Sequence, residues 1–372
     1  MATTSATGRR IRYGVVGGGW ISQGYFMPGV ARTGNSELTA LVTGDPEKGR
    51  VLGGTYGLAQ VCGYDGYAAL LRSGAMDALY IALPNGMHRD FAVPALEAGL
   101  HVLLEKPMAV SEAECEEIEA AARRGGAKLM VAYRLHCEPA TLQAIRLVRE
   151  GAIGTPLVFG SVFTQHVDPR NHRARQGFWA GPVADMGPYP VNAVRNLFGA
   201  EPIEVTAFGA RRAGFDFDDT VTAILRFPGG ELAQLTVSYA AEGMNGVGTY
   251  RVAGTTGDLV VVPGYSLEEG LTHRLTVNGR TSENAFPATD QFAGETRYFS
   301  DCILNGYDPE PDGEEGRCDV RVLAAIERAL ATGRPQTLQP LERRRRPEPA
   351  QAVVIPHEPP PGLVHAAAPQ KG

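Results

Sequence analysis

The chain has 372 residues, 44% of them hydrophobic and 20% charged, with a formal net charge of −6. That length suits two domains of ordinary size, each with its own core. The acidic balance speaks against nucleic acid as the main partner, because phosphate recognition needs a basic face, and no apolar run is long enough to span a bilayer. The five cysteines, Cys62, Cys115, Cys137, Cys302 and Cys318, are odd in number and never closely paired. They read as reduced thiols, with neither a disulfide frame nor a zinc site. The first ten residues are small, polar and basic, and the apolar stretch after them is too short for a signal-peptide core. A cytoplasmic location is expected.

In chain order, residues 11–16 read as a strand, 20–31 as a helix and 37–43 as a second strand. Asp45 is a natural N-cap for a helix over 46–56, with Pro46 at its first position. Residues 78–83 form an unbroken apolar strand, as buried parallel strands do, and 101–104 another. Ser111 opens a helix over 112–125, with Glu114 completing a capping box. This alternation predicts βαβ units and a parallel sheet covered on both faces.

The pattern changes near residue 131. Strand candidates at 157–164, 203–210, 221–227, 232–239, 250–253 and 259–262 follow one another, joined by turns such as Pro228-Gly229-Gly230. They predict an antiparallel sheet. Residues 291–304 and 318–332 look helical. The expected architecture is α/β: a doubly wound Rossmann domain over 1–130, then an α+β substrate and oligomerisation domain over 131–340 with a large, mainly antiparallel open sheet. A Pro/Arg-rich tail over 341–372 should hold little regular structure, and its basic run 343–346 reads as solvated.

Gly14-Val15-Val16-Gly17-Gly18-Gly19-Trp20-Ile21-Ser22 joins the first strand to the first helix. Gly17 and Gly19 take the first two glycine places of the dinucleotide fingerprint, and the small Ser22 the third. Such a turn brings backbone and helix N-terminus to a pyrophosphate, with Trp20 and Ile21 in its first turn. NAD-binding proteins usually end the second strand with an acid that holds the ribose 2′-hydroxyl. Here the segment is Thr43-Gly44-Asp45-Pro46-Glu47-Lys48. A hydroxyl at Thr43 and an ammonium at Lys48 favour a 2′-phosphate, so NADP is expected over NAD. Asp45 is the counter-signal, although its place before Pro46 fits a cap. The missing acid also argues against a methyltransferase.

Further motifs stand in order: Pro84-Asn85-Gly86-Met87-His88, Glu105-Lys106-Pro107, Tyr133-Arg134-Leu135-His136, and Asp185-Met186-Gly187-Pro188-Tyr189-Pro190-Val191-Asn192. Over about residues 10–340, the chain resembles the glucose–fructose oxidoreductase / inositol dehydrogenase family, also written Gfo/Idh/MocA. Most of that family carries His where this chain has Tyr189. Tyr189 with Asn192, together with Thr43, Glu47 and Lys48, resembles the glucose–fructose and aldose–aldose oxidoreductase branch.

The resemblance implies sugar substrates and Tyr189 as the group that takes the hydroxyl proton. A free tyrosine titrates near pH 10, so a tyrosine base wants a nearby ammonium. One charge at about 4 Å is worth roughly 4 kcal/mol at an effective dielectric of about 20. Lys106, at a strand's carboxyl end where open α/β sheets bind ligands, is the candidate ammonium. Asp185 would orient the substrate or hold Lys106, and Asn192 would contact the sugar. Pro84, Asn85, His88, Glu105, Tyr133 and Arg134 would face the cofactor, while Arg173 and Arg175 could close over it. Bland readings stand beside these: Asp185 as a helix cap, Tyr189 as a core tyrosine, Lys106 as a solvated lysine, His88 as a surface histidine. His166, Asp168 and His172 match no metal pattern, and no metal is expected.

The branch implies an aldose oxidised at C1 to its lactone, with hydride passed through tightly bound NADP(H) to a second sugar. This chain has only about ten residues before its first strand, whereas the exported relatives clamp the cofactor with a long N-terminal arm. An ordinary NADP-dependent sugar dehydrogenase with exchanging cofactor therefore stays open, as does a non-catalytic NADP sensor, which would need neither Lys106 nor Tyr189. Relatives dimerise through the open sheet, so a homodimer or tetramer is expected.

Overall fold

The computed structural model describes residues 8–212, 214–241, 248–343 and 345–368. Met1 to Thr7, Arg344 of the basic run and the last four residues of the tail lie outside them. The chain divides into two compact units, one of residues 8–137, 290–317 and 353–368, the other of 138–289 and 318–352.

The first unit is built on six parallel strands: β1 (Ile11–Val16), β2 (Ser36–Val42), β3 (Gln60–Cys62), β4 (Ala78–Ile81), β5 (His101–Leu104) and β6 (Leu129–Val131). Their order is β3-β2-β1-β4-β5-β6. The order reverses between β1 and β4, which opens a crevice at their carboxyl ends. Every residue of β4 is buried, as an apolar run in a sheet covered on both faces requires. The helix Pro46–Tyr56 starts and stops as its sequence dictates, with Asp45 accepting from the Lys48 amide at 3.0 Å and Gly57 left-handed behind it. The first helix is less regular, since Ser22–Phe26 winds as a π-helical turn before Met27–Val30. Helix Gln291–Asn305 returns late in the chain to cover this sheet, and its Ser300 hydroxyl meets those of Tyr13 (2.9 Å) and Ser36 (2.8 Å).

The second unit carries a nine-stranded sheet: β7 (Pro156–Thr164), β8 (Glu204–Ala210), β9 (Thr220–Arg226), β10 (Leu232–Ser238), β11 (Thr249–Gly254), β12 (Gly257–Val261), β13 (Thr272–Val277), β14 (Arg280–Ala285) and β15 (Gln336–Thr337). The order is β14-β13-β12-β11-β7-β10-β9-β8-β15. All pairs are antiparallel except β7 with β10, which run parallel at the centre. Strand β9 alternates, with Val221, Ala223 and Leu225 inward and Ile224 outward. The outward residues include Phe208 (73% exposed), Val158, Val162, Ile224 and Leu232.

Composition predicts a solvated basic run, yet Arg343 and Arg346 are buried. Arg346 donates to the Arg195 carbonyl (3.1 Å) and pairs with Glu201 (2.8 Å). Arg195, itself fully buried, pairs with Glu201 (2.5 Å) and with Asp319. A two-arginine, two-carboxylate cluster thus fastens this stretch, which composition alone could not reveal. Among the described residues, no helix is long and apolar enough to cross a membrane.

Candidate functional site

In the first unit, the turn after β1 is shaped by steric necessity. Gly17 has φ +96°, and a Cβ there would sit 2.2 Å from the Ala82 carbonyl. Glycine alone fits. Ser22 donates to the Gly17 carbonyl at 2.5 Å, which ties the helix start to the turn. At Gly19 a Cβ would meet nothing within 4 Å, and Gly19 is exposed. The turn therefore leaves open space where a pyrophosphate would approach free helical N–H groups. Trp20 and Ile21 are half-buried beside it. Thr43 follows β2 with its hydroxyl near the Asp45 amide (3.4 Å), and the Lys48 methylenes lie over Gly18. These residues fit a dinucleotide with a hydroxyl and an ammonium at the corner that reads the ribose.

Lys106 follows β5 and is half-buried, and its peptide bond to Pro107 is cis. Glu105 is fixed by two bonds, from the Tyr80 hydroxyl (2.6 Å) and from the Lys106 amide (3.2 Å). Tyr80 is in turn stacked on Phe26 at 3.7 Å. Burial pushes the Glu105 carboxyl up, while the Lys106 ammonium pulls it down. His88 is completely buried, with one ring nitrogen 2.9 Å from the Leu83 carbonyl and the other 2.9 Å from that of Pro107. It is a clamp between the ends of two strands, and burial holds its pKa low. Pro84 is exposed and Asn85 half-buried. Tyr133 and Arg134 are buried, Tyr133 stacked on His136 and Arg134 hydrogen-bonded to Gln291. Near Arg134, Glu295 is fully buried, and desolvation raises its carboxyl well above the usual range.

In the second unit, Asp185 closes the short helix Pro182–Asp185, and Tyr189 lies in the first turn of helix Pro188–Phe198. Between them, a Cβ on Gly187 would come within 2.2 Å of the Val183 carbonyl. Pro188 and Pro190 sit where missing N–H groups cost nothing. Tyr189 is half-exposed among buried neighbours, its ring edge-on to Phe163 at 5.5 Å. Asp185 accepts from the Tyr239 hydroxyl (2.9 Å) and from Arg173 (3.1 Å). Asn192 is buried, and its amide donates to Asp319 at 3.4 Å.

The sequence reading missed Tyr239 and Tyr80. Both sit in strands or at their ends and look like core aromatics, so only their hydroxyl partners reveal them. Arg173, which could close over the cofactor, pairs with Asp185. Among the described residues, no group of three or more His, Cys, Asp and Glu side chains is gathered to hold a metal.

Both halves of the chain have counterparts among known proteins. Residues 11–133 match the NAD-binding Rossmann domain of an oxidoreductase family, and residues 141–260 match the GFO/IDH/MocA C-terminal domain. The chain is 32% identical to the NADP(+) D-xylose 1-dehydrogenase of Haloarcula marismortui over 338 residues, 88% of this chain and 93% of that one. The aldose–aldose oxidoreductase of Caulobacter crescentus, solved with glycerol, superposes with a TM-score of 0.82 at 33% identity, covering 89% of this chain and 100% of that one. A 3-ketoreductase from Actinomadura kijaniata, solved with NADP, gives a TM-score of 0.77 at 26% identity over 87% and 98% of the two chains. With both domains matched and relatives above 30% identity along most of its length, this chain belongs to the GFO/IDH/MocA family of oxidoreductases.

Proposed function

We propose that this chain is an NADP-dependent aldose oxidoreductase that oxidises an aldose at C1 to its lactone and returns the hydride to a second sugar without releasing the cofactor. The observation that carries the reading is Tyr189, a half-exposed phenol in a helix start otherwise buried. The similarity to an NADP-dependent xylose dehydrogenase and an aldose–aldose oxidoreductase supports the substrate class.

Gly17, Gly19, Trp20, Ile21, Thr43 and Lys48 would hold NADP, with Pro84, Asn85, Glu105, Tyr133 and Arg134 lining its course. Bound there, NADP supplies a hydride acceptor, and its reduced form a donor. Tyr189 takes the proton of the C1 hydroxyl and later returns one to the acceptor sugar. Lys106 donates to the reacting oxygen and stabilises developing negative charge. Glu105, locked by Tyr80, keeps the lysine in place. Asp185, preorganised by Tyr239 and Arg173, orients the sugar, and Asn192 adds a contact. His88 acts by tying the backbone just after β4 to the backbone just after the lysine.

A second reading is an ordinary NADP-dependent sugar dehydrogenase, favoured by two xylose dehydrogenases among the relatives. Denaturing the purified protein and assaying released NADP(H) separates the two. Stoichiometric NADP(H) with turnover in its absence from the buffer supports recycling. An empty protein that needs added NADP excludes it. The exposed face bearing Phe208, Ile224 and Leu232 supports self-association into a dimer or tetramer.

A further inference from the structure

Resting on the reading of NADP as the cofactor, we propose that residues 353–365 form a strap that holds the ribose corner of the first unit, and that His365 on it determines preference for the 2′-phosphate. The chain re-enters this unit at Val353, whose amide donates to the Cys137 carbonyl (3.0 Å). Next, the Ile355 carbonyl accepts from Asp290 (2.7 Å), and Arg32 donates to the Pro356 carbonyl (3.0 Å). Three prolines, Pro359, Pro360 and Pro361, then stiffen the path. Pro360 and Leu363 lie over Gly24, 3.8 and 4.0 Å from where a Cβ would be.

Gln23 is the clasp. Its buried carboxamide accepts from the Val364 amide (2.8 Å) and donates to the Val364 carbonyl (2.9 Å), the pairing that a neighbouring strand would make. The same nitrogen donates to the Gly18 carbonyl (2.8 Å), so the strap and the glycine turn share one side chain.

Beyond the clasp, His365 has φ +44°, a region that residues with a Cβ seldom occupy. A conformation of that kind persists where surrounding contacts enforce it. Its Nδ1 lies 2.9 Å from Oδ2 of Asp45, whose Oδ1 accepts the Lys48 amide at 3.0 Å. Both oxygens of Asp45, the acid nearest the end of β2, are therefore engaged, and Glu47 further on is paired with Arg50. A carboxylate left open beside Thr43 would suit a ribose hydroxyl and repel a phosphate. Engaged on both sides, Asp45 instead becomes a support that presents Lys48. The His365 and Asp45 side chains are 59% and 33% exposed, so the pair acts on local charge and geometry and adds little to stability.

The test compares the full chain, a chain ending at Pro356, and the full-length variant His365→Ala. NADPH and NADH affinities come from fluorescence titration, release rates from stopped flow, and folding from circular dichroism. Truncation should speed NADPH release at least tenfold. His365→Ala, at an exposed position, should keep the fold and lower the NADPH-to-NADH preference roughly threefold, the scale of an exposed ion pair. An unchanged preference in His365→Ala, or an unchanged release rate in a folded truncation, overturns the proposal. A full chain that exchanges NADPH freely yet loses affinity on truncation keeps the strap and removes the recycling reading. A full chain that retains NADP, with a truncation that retains it equally, does the reverse.

Discussion

At the scale of single residues, the proposed chemistry rests on few atoms. Tyr189→Phe should cut kcat by about 10²- to 10⁴-fold, the usual share of a positioned proton-transfer group. NADP binding and the unfolding midpoint should not change. Intact sugar oxidation in that variant would remove Tyr189 from the mechanism. Tyr239→Phe tests a different role. It deletes a donor to Asp185, so KM should rise several-fold with a smaller change in kcat, as expected for a group that positions substrate. The sequence singles out Lys106 and Tyr189 because they sit inside recognisable motifs. Tyr80, Tyr239 and Gln23 were not. Each reads as ordinary core material, and its importance lies in a partner 25, 54 or 341 residues away.

At the scale of elements, local rules located the helices with strong end signals. Asp45-Pro46 and Ser111 mark starts that the structure keeps, with Glu114 accepting from the Val110 amide at 3.3 Å. The hairpin of β13 and β14 went unseen because all six residues of Arg280–Ala285 face solvent and show no apolar alternation. Helix Pro139–Arg149 was also missed, although Glu138 caps it and proline opens it. The β13 residue His273 is 3% exposed and faces Phe286, and burial lowers its pKa to about 4. A histidine held neutral in the native state stabilises fully above its unfolded pKa of about 6.5. That stability is lost as pH falls toward 4, because the unfolded chain binds the proton first. Between pH 7 and 4.5, the wild type should lose about 2–3 kcal/mol more than His273→Phe in urea unfolding. Equal losses would contradict this. Arg346→Ala should cost about 2–3 kcal/mol at neutral pH by stripping charged hydrogen bonds from Glu201. A solvated arginine would cost almost nothing.

At the scale of the whole molecule, alternation and composition were enough to separate a parallel sheet from a mainly antiparallel one. They could not show the parallel β7–β10 pair, since strand neighbours far apart in sequence leave no local mark. Nor could they show that an arginine in a proline-rich stretch would be buried. The outward face of the large sheet yields a prediction of its own. Phe208→Asp, at a side chain 73% exposed, should shift the protein toward monomer in light scattering at micromolar concentration while leaving the fold unchanged. If the wild type is already a monomer there, that face is not a subunit contact.

The first unit is assembled from residues 8–137, 290–317 and 353–368. Ribosomal synthesis delivers those pieces far apart in time. When the nascent chain has emerged only to residue 137, Tyr13 and Ser36 still lack Ser300, supplied by helix Gln291–Asn305. The sheet that is made first is thus among the last to be finished, after the intervening unit has been translated. An isolated fragment of residues 1–137 should therefore be insoluble or bind nucleotide poorly. Adding back 290–368 in trans should rescue it, whereas a late stop codon should harm the beginning of the protein more than its end.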